Sequence, residues 1–181
     1  ARAIGVTALL IISLHDLAGI IPFGKDSLIN VILTPLFRLD PVPLGTRGIL
    51  LIAYPVIPWL GIMLAGFACG RLFELPEPKK RSIFLKTGIA CLILFVFIRF
   101  VNVYGEPVKW ALQKNPVYSL LSFLNITKYP PSLLFTLLTL GGMFLVLAVS
   151  ESINNKPGRM ISTYGKVPFF YFLIHLYLLH F

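Results

Sequence analysis

Long apolar stretches separated by short polar connections dominate the chain. A bilayer core requires about 20 mostly apolar residues in helical form. Four stretches reach or approach that length, and they run from Ala3 to Ile21, from Ile49 to Phe73, from Ile83 to Tyr104 and from Pro131 to Val149. A fifth, from Val167 to Phe181, is as apolar but stops in mid-span. Because these runs lack the alternation of barrel strands, they predict an all-α fold, a polytopic transmembrane helix bundle of about five spans with the last truncated.

Two shorter apolar runs interrupt the connections between these spans. Leu28 to Phe37 and Val117 to Leu124 are too short to cross a bilayer. We expect them at the membrane interface or folded back into the protein. The chain opens with Ala1-Arg2 and closes inside an apolar stretch at His180-Phe181. We therefore expect residues 1–181 to be a single transmembrane domain, the C-terminal part of a larger membrane protein whose N-terminal helices are its partners.

The charge of the chain is distributed over two sides of a membrane. Hydrophobic residues make up 57% and charged residues 13% of the sequence, whereas soluble domains carry about 25% charged residues. A net charge of +9 on a soluble chain would indicate nucleic acid as a partner. Here the cations fall into two sets of loops, and the set packed into short loops is expected to be cytoplasmic. The sequence predicts an integral membrane protein, with the lipid bilayer and no nucleic acid as partner.

Ionisable groups inside the first span suggest a function because burying them in a membrane is costly. His15 and Asp16 lie in the outer third of that span. His15 could act as a general base. Alternatively, the pair is a polar helix end that contacts Arg99, which occupies a similar depth in the third span. Both interpretations are open.

The second span carries helix-breaking and small residues. Pro55 and Pro58 are expected to break its hydrogen-bond ladder near the outer end and to free backbone carbonyls. Gly66 and Gly70 form a GxxxG pair, and Gly61 and Ala65 precede it at the same spacing. Small residues so spaced favour close packing against another helix.

A group of basic residues follows at the inner boundary of the second span. It consists of Arg71, Lys79, Lys80 and Arg81. These residues are either an anchor that obeys the positive-inside rule or a seat for the phosphates of a cytosolic cofactor.

The string FLNITKYPPSL, residues Phe123 to Leu133, is the most unusual in the sequence. Its two prolines place Lys128 and Tyr129 beside the start of the fourth span. A lysine next to a helix N-terminus can form an anion or oxyanion site. The alternative is a lysine that snorkels to the interface beside an interfacial tyrosine.

In the last span Tyr171 and His175 are four residues apart and share a helix face near mid-membrane. They either line a functional cavity or bond a neighbouring helix. Cys69 and Cys91 lack CxxC spacing and a nearby histidine cluster, so we expect packing roles and no metal. Motifs of hydrolases, ATPases and metalloproteases are absent from the sequence.

Three strings carry a resemblance to a known family. AYPVIPWLGIMLAGFACGRLF, FLNITKYPPSLLF and YGKVPFFYFLIHLYLLH resemble the bacterial integral membrane proteins related to heparan-alpha-glucosaminide N-acetyltransferase. The resemblance implies a transmembrane acyltransferase that uses cytosolic acetyl-CoA, or another acyl-CoA, to modify an amino sugar on the far side. The histidine held essential in that family belongs to an early region that this sequence does not contain. The resemblance therefore assigns that role to none of His15, His175 and His180.

Taken with these patterns, the resemblance implies part of an acyltransferase of the bacterial cytoplasmic (inner) membrane that acetylates an extracytoplasmic sugar or glycan and is inactive as this fragment alone. The candidate catalytic residues are Lys128, Tyr129, His175, Tyr171 and His15, and the candidate cofactor-binding residues are Arg71, Lys79, Lys80 and Arg81. An oligomer is compatible with the sequence. Alternatives are a transporter or channel segment with an intramembrane His/Tyr path and a non-catalytic membrane scaffold.

Overall fold

A computed structural model describes residues 2–19, 28–37, 41–43, 48–50, 54–150 and 155–180. Among these residues the regular secondary structure is helical apart from two strands of two residues each, β1 (Val42–Pro43) and β2 (Ile49–Leu50), which pair antiparallel with Val42 opposite Leu50. In chain order the helices are α1 (Arg2–Leu14), α2 (Leu28–Phe37), α3 (Val56–Cys69), α4 (Glu77–Val101), α5 (Pro116–Leu124), α6 (Leu133–Ser150), α7 (Lys156–Lys166) and α8 (Pro168–His180). Two 3-10 turns, His15–Gly19 and Gly70–Glu74, extend α1 and α3.

Among the described residues, three helical segments are long and apolar enough to cross a membrane, and they fall where the second, third and fourth spans are predicted. They are Val56–Glu74, Glu77–Val101 and Leu133–Ser150. The prediction of about five spans is not confirmed. Both α1 and α8 have 13 residues, fewer than a bilayer core requires, and the last residues of both predicted spans lie outside the described part of the chain. The protein is thus helical, and the length and apolar composition of three of its described helical segments are those of an integral membrane protein.

Prolines begin α3 and α4 instead of interrupting them. Pro55 precedes the first residue of α3 with extended backbone angles, φ −59° and ψ 132°. Pro58 falls in the first turn, where backbone amides have no helical partner to lose. The prediction that these prolines break the ladder within a span is therefore wrong. Pro76 and Pro78 start α4 in the same way, so the helix begins at Glu77, six residues before the predicted Ile83.

The helices form two antiparallel pairs, α1 with α3 and α4 with α6. In the first pair, a Cβ built on Gly61 would lie 2.7 Å from Ile11 Cγ2, while Gly5 faces Ala68. Gly66 and Gly70, predicted to pack against a helix, have no neighbour within 4 Å of such a Cβ in the described structure. Of the small residues predicted to allow close packing, Gly61 therefore lies at the close approach in this pair, and Gly66 and Gly70 do not.

One contact between the two pairs lies at the end of the bundle that also holds the basic residues. Phe84, Phe144 and Ala148 form a buried cluster there, and Cys69 and Leu72 from the end of α3 pack against it. We call this the inner end, in line with the predicted orientation. The opposite, outer end holds the start of α3, the end of α4 and the start of α6, and it carries the polar contacts described next.

Candidate functional site at the outer end

The start of α6 is fixed by partners from two other parts of the outer end and by its own N-cap residue. Leu133 N donates to Asp16 Oδ2 at 3.2 Å, and Leu134 N donates to Gly105 O at 3.0 Å. Ser132 Oγ accepts from Phe135 N at 3.0 Å, as an N-cap serine does. The first three backbone amides of α6 therefore already have hydrogen-bond acceptors within this chain. An anion beside Lys128 would have to be bound by groups other than these amides.

His15 ties the end of α1 to the chain just before α6. Its Nδ1 lies 3.0 Å from both Ile11 O and Ile12 O, and its Nε2 lies 2.9 Å from Pro131 O and 3.2 Å from Asp16 Oδ1. The residue is buried, with 6% of its surface exposed. Because both ring nitrogens face oxygen atoms of the protein, this is the geometry of a polar helix end and offers no ring nitrogen to a substrate.

Arg99 organises the loop that follows α4 and does not join the His15–Asp16 pair. The side chain is 1% exposed and donates four hydrogen bonds to backbone carbonyls. Its acceptors are Phe123 O at 2.9 Å, Val108 O at 3.0 Å, Ser122 O at 2.9 Å and Asn125 O at 2.8 Å. Three of these carbonyls lie at the C-terminal end of α5, where a cation is favoured because the helix dipole is negative there.

Glu106 fixes both ends of the segment that presents Lys128 and Tyr129. Its carboxylate accepts from Thr127 N at 3.0 Å and from the Thr127 hydroxyl, and on the far side of the segment from Ser132 Oγ at 2.8 Å. Sequence reasoning missed Glu106. The sequence does contain a signal for such an acceptor. Thr127 and Ser132, on either side of the KYPP string, carry hydroxyl donors, and a buried donor needs an acceptor.

Lys128 and Tyr129 lie in an aromatic cluster with Tyr54 and Trp59, and we use this name for the four residues together. The ring of Tyr129 meets Tyr54 edge-on at 5.3 Å between centroids and Trp59 at 6.2 Å. Lys128 Nζ lies 4.9 Å from the centre of the Tyr129 ring. Tyr54 and Lys128 are exposed, and Trp59 and Tyr129 are half-buried. The cluster thus combines aromatic faces with an exposed cation.

One polar atom of the aromatic cluster is buried without a partner. Trp59 Nε1 makes no hydrogen bond within the part of the chain that the structure describes. Buried N–H groups in proteins are nearly always satisfied, so this unpaired donor is unusual. Sequence reasoning singled out the string that contains Tyr54 and Trp59 for its prolines and not for its aromatic residues.

The groups of the aromatic cluster shift each other's titration. A hydrogen bond from the Lys128 ammonium lowers the pKa of the Tyr129 hydroxyl, and the same bond raises the pKa of Lys128. A hydrogen bond to Tyr129 raises the pKa of Tyr54. The ammonium therefore favours the phenolate of Tyr129, while Tyr54 is held as a phenol that can donate.

The remaining predicted site residues lie elsewhere. Tyr171 and His175 stack within α8 at 5.9 Å between ring centroids, and His175 Nδ1 is buried with no partner among the described residues. No described hydrogen bond or ring contact joins these two residues to the aromatic cluster. The basic residues predicted to bind a cofactor lie at the inner end, where Arg71, Lys79 and Arg81 are exposed and Lys80 is half-buried.

Comparisons with known protein families, with curated proteins and with solved structures each find no match.

Proposed function

We propose that this chain is part of an integral membrane acyltransferase that passes an acyl group, acetyl by the resemblance, from a cytosolic acyl-CoA to a sugar or glycan at the outer face. The observation that carries the proposal is the aromatic cluster. It joins Trp59 of one family-like string to Tyr129 of another, 70 positions further along the chain. Two of the strings on which the resemblance depends thus contribute to one site.

The chemistry of the aromatic cluster suits a sugar acceptor. Tyr and Trp rings combine an apolar face with a polar edge, and a pyranose ring likewise has apolar C–H faces and a rim of hydroxyl groups. The unpartnered Trp59 Nε1 can donate to a hydroxyl oxygen. Tyr129, with its lowered pKa, can accept a proton from the attacking amine or hydroxyl. Lys128 can stabilise negative charge that develops on the carbonyl oxygen.

The donor would bind at the inner end. The phosphates of acyl-CoA would pair with Arg71 and with Lys79 to Arg81. Helix α4 has 25 residues and is therefore about 37 Å long at ~1.5 Å per residue. The acyl-bearing arm of acyl-CoA must reach through much of that length so that its thioester meets the acceptor at the outer end, and we place Tyr171 and His175 of α8 along its path. In the reaction the acceptor N–C or O–C bond forms, the thioester C–S bond breaks, and the acceptor proton passes through Tyr129 to the departing CoA thiolate.

The test measures acyl transfer by the full-length protein that contains this chain, purified in detergent, with radiolabelled acetyl-CoA and a panel of amino sugars and glycans. Tyr129→Phe and Lys128→Met should each lower kcat/KM by about 100-fold, the usual size of a general acid–base or charge-stabilising contribution. Lys114→Met, which removes an exposed lysine from the same side of the molecule, is the matched control and should leave the rate unchanged. Wild-type rates in both site variants would contradict the assignment.

A transporter is the second candidate, and the buried Nδ1 of His175 without a described partner favours it, because such a group inside a membrane is costly unless it serves a path. Proteoliposomes distinguish the two functions. Uptake of a solute without any acyl transfer, abolished by His175→Ala, would establish the transporter and refute the enzyme. If the full-length protein shows neither transport nor acyl transfer, the non-catalytic membrane scaffold is the remaining function.

A further inference from the structure

Helix α7 has one apolar and one cationic side. Met160, Tyr164 and Ile161 fall within an arc of about 100° at ~3.6 residues per turn. Arg159 and Lys166 lie on the opposite side, and α7 contains no acidic residue. This distribution is typical of helices that lie in the plane of a membrane surface.

The apolar side of α7 is uncovered in the described structure. Met160 is 64% exposed and Ile161 is 72% exposed. Tyr164 makes a ring contact with Tyr171 of α8 at 5.8 Å between centroids. The apolar side of α7 is thereby continuous with the apolar helix α8, which begins at Pro168, two residues after α7 ends.

The position of α7 in the fold places it at the inner end. Helix α6 runs antiparallel to α4 and ends at Ser150, near the buried cluster of Phe84 and Phe144. Only residues 151–155 separate Ser150 from the first residue of α7, and six peptide links span at most about 21 Å. The helix is therefore at the same end as Lys79 and Arg81.

We propose that α7 lies flat on the inner surface of the bilayer, with its apolar side among the acyl chains and its cations against anionic phospholipid headgroups. The choice of lipid over a protein partner rests on charge complementarity, because the inner leaflet is negative, and on continuity with α8. The Asn155 side chain, which accepts from Gly158 N at 2.9 Å, fixes the start of α7. This binding surface is independent of the acyltransferase proposal.

The test locates a fluorescent label on each side of α7 in the whole chain, reconstituted into vesicles. Nitrobenzoxadiazole is attached at Met160→Cys or, as the matched control, at Ser162→Cys on the polar side, with Cys69 and Cys91 replaced by Ala. Vesicles contain phosphatidylcholine alone or mixed with phosphatidylglycerol. In the anionic vesicles, brominated lipid should quench the Met160 label strongly while aqueous iodide reaches only the Ser162 label.

The charge requirement is tested with Arg159→Gln combined with Lys166→Gln. Each cation near an anionic surface is worth about a fivefold change in surface binding. The double variant should therefore lower the ratio of lipid-buried to exposed Met160 label by about 25-fold. Lys114→Gln, at the other end of the molecule, should leave the ratio unchanged.

Three results would overturn the proposal. Equal iodide quenching of the two labels in anionic vesicles would mean that α7 stands off the membrane. A Met160 label shielded from both quenchers would mean that protein covers the apolar side. Equal depth of the Met160 label in neutral and anionic vesicles would show that anionic headgroups do not bind α7.

Discussion

At the scale of single residues, Gly88 and Gly141 allow α4 and α6 to approach each other. A Cβ built on Gly88 would lie 2.8 Å from Leu145 Cδ2 and 3.0 Å from the backbone oxygen of Gly141. A Cβ on Gly141 would lie 2.9 Å from Leu92 Cδ2. Small residues at such contacts drive helix association in membranes, where lipid chains are as apolar as leucine and packing must supply the attraction.

Gly88→Ala should therefore destabilise the protein, by about 1–3 kcal/mol as expected for overpacking at a close contact. The backbone oxygen of Gly141 cannot rotate away as a side chain would, so the helices must separate. The midpoint of unfolding in SDS, followed by circular dichroism, measures the change. Gly142→Ala is the control because nothing lies within 4 Å of its added Cβ, and equal midpoints for the two variants would contradict the prediction.

Tyr129 should titrate at a lower pH than an ordinary tyrosine, whose pKa is about 10. The cause is the Lys128 ammonium, which lowers the pKa of Tyr129. Subtracting the 295 nm absorbance titration of Tyr129→Phe from that of the wild type isolates this transition. In the Lys128→Met background the transition should move to higher pH. If it stays in place, the ammonium is not its cause.

The sequence pointed to half of the aromatic cluster. Lys128 and Tyr129 could be predicted because two prolines fix the backbone beside them, and this restriction is local. Tyr54 and Trp59 could not be placed against them, because that contact depends on how α3 packs relative to the segment before α6. The role of Glu106 was missed for the same reason: its partners Thr127 and Ser132 are more than 20 positions away.

At the scale of elements, α5 is a short helix held by a side chain from a spanning helix. It begins at Pro116, with Asn115 Oδ1 accepting from Val117 N at 2.8 Å. Its C-terminal carbonyls accept from the guanidinium of Arg99. Nine residues are too few for a stable isolated helix, so the order of α5 depends on these contacts.

Arg99→Lys should loosen α5 even though it keeps the charge. A lysine ammonium cannot reproduce the planar fork that reaches four carbonyls, and each buried acceptor left without a donor costs about 1–3 kcal/mol. Hydrogen–deuterium exchange should rise across residues 107–125 and remain unchanged in the middle of α6. Lys109→Arg, at an exposed position in the same loop, serves as the control. Unchanged exchange in Arg99→Lys would show that α5 is held by other contacts.

Element boundaries were predictable where polar residues enclose a short apolar run. The apolar run Leu28 to Phe37 coincides with α2, and Val117 to Leu124 differs from α5 by one residue. The predicted second span began at Ile49, but Ile49 and Leu50 pair with β1 and the helix starts at Val56. Hydropathy alone cannot separate these states, because a buried strand and the start of a buried helix are equally apolar.

At the scale of the whole molecule, the two antiparallel pairs place opposite kinds of chemistry at opposite ends. The inner end collects exposed cations close to Phe84 and Phe144, and the outer end collects the aromatic cluster and the loop that Arg99 organises. The alternating direction of the helices follows from the succession of spans, but their pairing does not, because the short connection joins α3 to α4 whereas the pairs α1–α3 and α4–α6 are joined by long connections that contain α2 and α5. The sequence also does not predict which helix faces the two pairs turn toward each other, because every face of these helices is apolar.

Positions at the two ends should be reached from opposite sides of the membrane. The positive-inside rule assigns the end with Arg71 and Lys79 to the cytoplasm. In a background with Cys69 and Cys91 replaced by Ala, a membrane-impermeant maleimide applied to intact cells should modify Lys114→Cys. It should modify Glu77→Cys and Lys156→Cys only after the cells are opened. All three positions are exposed in the structure, so failure to react reports sidedness and not burial.

Two results in intact cells would contradict this orientation. Reaction at Glu77→Cys but not at Lys114→Cys would invert the orientation and remove the cytosolic donor site. Reaction at both positions would show that α4 does not cross the membrane.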